Sequence, residues 1–102
     1  MRVLAVVLAL SAIPMASRAD EISGDWCSDG GAQVRIDGDK IRTPGGQQTQ
    51  GVYSRHRIDF VIPEGEPDAG LSVAMRQLSE ERVIVTYDGG EPEEWHRCKL
   101  VS

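Results

Sequence analysis

Apolar and polar residues alternate along most of this chain. In "AQVRID", Ala32, Val34 and Ile36 fall on one face and Gln33, Arg35 and Asp37 on the other. In "HRIDFVIP", Ile58, Phe60 and Ile62 share a face, with Arg57 and Asp59 opposite. A period of two is the strand period. The punctuation fits short hairpins. "DGD" at 37–39 supplies a tight turn into "KIRT", because Gly38 accepts a positive φ and Asp hydrogen-bonds back to the chain. "PGG" at 44–46 stops that strand, and "QTQGVYSR" then pairs with "HRIDFVIP". "EGEPDAG" is a loop by composition. "LSVAMRQL" and "RVIVTYD" pair around 79–81, "GGEPE" turns the chain, and "EWHRCKL" closes it. A helical reading competes in one place, "AGLSVAMRQLSEER", where Leu78 breaks the alternation of Leu71, Val73 and Met75.

These segments make seven or eight short strands at roughly ten-residue spacing, the pattern of an all-β protein. The prediction is a small antiparallel up-and-down barrel, or its flattened form, a sandwich, because closure removes exposed strand edges. Trp26, Ile58, Phe60, Val83, Val85 and Trp95 are the expected core.

The first residues do not belong to that pattern. "MRVLAVVLALSAIPMASRA" has Arg2, an apolar run from Val3 to Ile13, and small residues at Ser17 and Ala19. This is the arrangement of a secretory signal peptide. The 11-residue apolar run is too short to span a bilayer. Residues 1–19 are therefore read as a removed signal and 20–102 as one domain, periplasmic or secreted, with no membrane span. Cleavage leaves 83 of the 102 residues. Arg2 and Arg18 go with the signal, so 9 basic residues face 16 acidic ones and the net charge moves from −5 to about −7. Nucleic acid is not an expected partner, since its binding needs clustered Lys and Arg.

Two cysteines remain, Cys27 and Cys98, and an even pair in a short exported chain is a disulfide candidate. Trp26 precedes Cys27 by one residue and Trp95 precedes Cys98 by three, so on strands each Trp points away from its Cys. If the first and last strands are neighbours, both indoles enter one core while the sulfurs meet outside. The chain-entropy model gives the resulting loop about 4 kcal/mol, comparable with the ~5 kcal/mol of net stability in a small domain.

The remaining residues with chemical potential have structural explanations. His96 and Cys98 share a face and would both reach one ion, but zinc takes four ligands or three plus water. His56 sits between Arg55 and Arg57, which disfavour a cation. Same-strand neighbours seldom make the hydrogen bond that activates a thiol. Glu64, Glu66 and Asp68, and Glu91, Glu93 and Glu94, read as solvated loop acids. Asp37 and Asp39 lack the rest of a calcium loop. "SRHR", Ser54 to Arg57, reads as a turn balanced by nearby acids. No catalytic residue, metal ligand or cofactor is expected, and the chain is not expected to be an enzyme.

"ISGDW", Ile22 to Trp26, opens the first strand. Its Gly-x-Trp, Gly24 and Trp26, resembles the start of lipocalin-like barrels, where the Trp plugs one end. Among small exported bacterial barrels the chain looks most like the inhibitors of secreted metalloproteases. It departs from them in placing its cysteines at opposite ends of the mature chain and in having a short, acidic leading segment. The resemblance implies that Asp20, Glu21, Ile22 and Ser23 form an extended, exposed arm that binds a protease. The expectation is thus a non-catalytic binding domain with a protein partner in the periplasm or outside the cell, protease inhibition being its sharpest form. The alternatives are a small-molecule carrier, which needs an open interior, and an accessory subunit of a periplasmic enzyme, which needs an exposed apolar patch.

Overall fold

A computed structural model describes residues 21–99. The signal-peptide reading of 1–19, and Asp20 of the expected arm, lie outside the described residues. Nine strands follow one another: β1 Gly24–Cys27, β2 Gln33–Asp37, β3 Lys40–Arg42, β4 Gln48–Gln50, β5 Val52–Ser54, β6 Arg57–Val61, β7 Ser72–Gln77, β8 Arg82–Tyr87 and β9 Glu93–Arg97. They form one sheet in the order β4-β3-β2-β1-β9-β8-β7-β6-β5, every neighbour antiparallel. This is a meander that curls until β1 lies beside β9, a nearly closed barrel. The segment with competing helical and strand readings is β7, which ends at Gln77, just before the residue that broke the alternation.

The count is nine and not seven or eight. "QTQGVYSR" was expected as one strand and is split at Gly51. There the backbone passes so close to its neighbours that an added Cβ would lie 2.5 Å from the Asp59 carbonyl oxygen and 2.8 Å from Ile41 Cδ1. Only glycine allows that approach. Before the bend the chain pairs with β3, and after it with β6. Gly51 therefore hands the chain from one end of the sheet to the other and brings the barrel close to closure.

Alternate residues fill the interior. Trp26, Val34, Ile36, Ile41, Ile58, Phe60, Val73, Met75, Val83, Val85 and Trp95 are buried, joined by Ile22 and Ile62 from flanking loops. All six residues expected in the core are among them. Where β4 and β6 do not pair, side chains bridge the gap. The Glu66 carboxylate accepts from the Thr43 hydroxyl and from Gly45 N at 3.0 Å, and Gln47 Nε2 donates to Glu64 O at 2.9 Å.

Candidate functional site

The two cysteines are bonded, with an S–S distance of 2.03 Å and Cα atoms 5.0 Å apart. The sheet explains why they meet. In the β1–β9 ladder Trp26 faces Arg97 and Cys27 faces His96. Cys98 N donates to Asp25 O at 3.0 Å, which continues the ladder by one step and sets Cys98 diagonal to Cys27. Both indoles point inward and the sulfurs lie outside. His96 shares the sulfurs' face and is exposed, with Nε2 3.3 Å from Glu94 Oε2. The same carboxylate oxygen lies 3.4 Å from Arg82 Nε. The Cys–His cluster is thus a staple beside a surface ion-pair network. Among the described residues, no group of three or more His, Cys, Asp and Glu side chains is placed to hold a metal ion.

Arg97 is the residue that the sequence did not flag. Its parity points it inward, where its guanidinium carbon sits 4.1 Å from the centroid of the Trp26 ring. Nε donates to Glu80 O at 2.7 Å, Nη1 to Ser23 O at 2.6 Å and Nη2 to Glu21 O at 2.7 Å. Burial lowers the guanidinium pKa from its ordinary value, while Glu81, Glu80 and Asp25 oppose the shift. One side chain therefore covers the indole and ties the leading segment to the β7–β8 turn. A signal did exist, since Arg97 lies two residues from an inward Trp95 and had to share its face.

The leading segment is held from several sides. Ile22 is fully buried, its N–H donates to Arg55 O at 2.8 Å, and its carbonyl accepts Trp26 Nε1 at 2.7 Å. Ser23 is 5% exposed, and its hydroxyl accepts from Gly38 N at 3.1 Å. Glu21 is half-buried and accepts from the Tyr53 hydroxyl at 2.9 Å. Burial, and then that hydrogen bond, raise the pKa of Tyr53 above the ordinary tyrosine value. The exposed arm expected over Asp20, Glu21, Ile22 and Ser23 is corrected here for Ile22 and Ser23. An apolar side chain beside an open barrel end is drawn into the core, and the Arg97 donors fix the carbonyls around it.

Several of the acids expected in loops have specific partners, and two of them, Glu93 and Glu94, lie on β9 rather than in a loop. Glu66 is the clasp described above, and Glu93 Oε1 accepts from Trp95 Nε1 at 3.1 Å. Asp39 accepts from Gln50 Nε2 at 3.3 Å, next to the β2–β3 turn. "SRHR" forms the β5–β6 turn, where Arg57 bonds Asp59 through Nε at 2.9 Å and Nη2 at 3.1 Å.

No family model, curated protein or solved structure matches the chain.

Among the described residues the exposed large apolar side chains are Val52, Val61 and Leu78, and the first two share one region. Val52 is 75% exposed and Val61 50% exposed. Both face outward, on the opposite parity to the buried Ile58 and Phe60. With Asp59, Ser72, Ala74 and Thr86 they line a shallow groove of about 500 Å³ across β5–β8. The pattern contained this too: Val61 lies between Phe60 and Ile62, so a strand that buries those two must expose it. A larger groove, of about 830 Å³, runs beside the disulfide between Ser28, Glu81, His96 and Lys99 and is lined by both charge signs.

Proposed function

We propose that this chain is an exported, non-catalytic domain that binds a protein partner through the outer face of β5–β8. The observation that carries the reading is the exposure of Val52 and Val61 over one groove, on a barrel whose other outer positions are mainly polar. Apolar surface collected in one place marks a contact site more often than scattered single residues do. The filled interior supports a surface mode over a carrier that encloses its ligand, because the large side chains occupy the space a ligand would need. The accessory-subunit form of the proposal names an enzyme as the partner. A protease-inhibitor form would rest on Glu21 and whatever precedes it, since Ile22 and Ser23 are built into the barrel.

The test is a photo-reactive residue placed at Val52 or Val61 of the full chain in living cells. The reading expects an adduct from these positions and none from Lys40, exposed on β3. Failure of both valine positions to form any adduct sinks it.

A further inference from the structure

We infer that the partner of this face is a second copy of the chain, docked about a twofold axis. The inference rests on the binding-face reading and names its occupant. Three rows cross the face. Val61 pairs with Ser72, and Asp88 joins them, its N–H donating to Ser72 O at 2.8 Å. Val52, Asp59, Ala74 and Thr86 make the middle row, and Arg57, Arg76 and Ile84 the third. The middle row therefore has an acid on one side, Asp88, and a base on the other, Arg76. Among the described residues neither side chain has an ion pair or hydrogen bond. Asp59, by contrast, is matched by Arg57 within its own chain.

A twofold contact has a requirement that an unlike partner does not impose. The patch must complement itself, so each charge needs its opposite on the same surface. Arg76 and Asp88 meet that requirement, while Asp59, which an axis through the middle row brings over its own copy, is balanced by Arg57 within each chain. An axis lying in the interface and crossing the strands at the middle row places the third row of one copy over the first row of the other. Arg76 then faces the partner copy's Ser72. The partner copy's Asp88 lies one strand spacing aside, about 4.8 Å, within reach of a guanidinium. Symmetry makes the pair twice. Val52 meets Val52, and Val61 lies under the aliphatic stem of Arg57 from the other copy. The contact also relieves a conflict in the single chain, because Arg57 and Arg76 are directly cross-strand and like charges so placed destabilise a sheet. A four-strand face is small beside standard interfaces, so the dimer is reversible and depends on concentration.

Sedimentation velocity of the exported, oxidised chain from micromolar to millimolar concentration tests this. A monomer–dimer equilibrium is expected. Val52→Asp abolishes it, and Arg76→Asp or Asp88→Arg alone weakens it about tenfold or more. The double variant R76D/D88R recovers the parental dissociation constant, since the swapped charges still meet across a twofold axis. Tryptophan fluorescence and urea midpoints confirm that each variant is folded. A monomer throughout the range, or a double variant no better than the singles, overturns the inference. A monomer whose Val52 cross-linker captures an unlike protein also overturns it and leaves the binding-face reading standing. A monomer with no adduct from either valine ends both.

Discussion

Arg97 shows how much one inward cation contributes to this barrel. It stacks on Trp26 and satisfies the carbonyls of Glu21, Ser23 and Glu80. The Gly24 position depends on it as well. Gly24 has φ +129°, and a Cβ there would run into the Arg97 guanidinium, so both conformation and space favour glycine. The Gly-x-Trp stretch is thus shaped around an arginine more than seventy residues away in sequence. Arg97→Ala removes the stacking and the charge-assisted bonds together and leaves the part-buried carbonyls of Glu21 and Ser23 without these donors. A loss of about 2 to 4 kcal/mol is expected. Arg97→Lys keeps the charge but not the planar fork, and recovers less than half of that loss. Urea unfolding followed by tryptophan emission measures both variants. A lysine variant as stable as the parent would show that charge alone, without stacking and fork geometry, accounts for the arginine.

At the level of elements, the alternating pattern was a good guide. Val34 and Ile36, Ile58 and Phe60, and Val83 and Val85 all point where their period places them. The parity of Trp26, Cys27, Trp95 and Cys98 placed the staple and the core together, because strand geometry leaves a residue only two faces. Two features escaped. The split of β4 from β5 depends on how closely Gly51 approaches Asp59 and Ile41, a long-range contact with no local signature beyond the glycine. The exposed leading segment was implied by a resemblance that rests on Gly24 and Trp26 alone, whereas the deciding contacts come from Arg97, Arg55, Gly38 and Tyr53. Gly51 gives the test at this scale. Gly51→Ala forces the added carbon against a backbone oxygen that cannot rotate away, and overpacking of this kind costs roughly 1 to 3 kcal/mol. A control at Gly31 has nothing near its Cβ but a φ of +100°. It costs only the conformational strain, roughly 1 to 2 kcal/mol, and leaves the β3–β4 and β5–β6 ladders intact. Amide exchange separates the two: Gly51→Ala speeds exchange in β4 and β5, whereas Gly31→Ala acts near the β1–β2 turn. Uniform exchange in both variants would argue against Gly51 as the corner of the barrel.

Across the whole molecule, the ladder that joins the first strand to the last is a short one. β1 and β9 share the register pairs Trp26–Arg97 and Cys27–His96, whereas β6–β7 and β7–β8 each have five. A seam with so few ladder bonds closes a barrel poorly by itself. The disulfide lies on that seam, and Arg97 reinforces it from inside. In the chain-entropy model a link across this much of the chain stabilises by about 4 kcal/mol, mainly by restricting the unfolded state. For a domain of this size that is most of the net stability. Replacing both cysteines with serine is therefore expected to lower the unfolding free energy by about 4 kcal/mol. The two mechanisms leave different traces in amide exchange. If the bond acts only through the unfolded chain, protection falls evenly across the sheet. If it also holds the seam, β1 and β9 open at lower free energy than β7 and β8, and Trp26 becomes accessible to an aqueous quencher before Trp95 does. The short ladder favours the second pattern. Even loss of protection, with both tryptophans quenched together only on global unfolding, would show that Arg97 and the core hold the seam closed without the covalent bond.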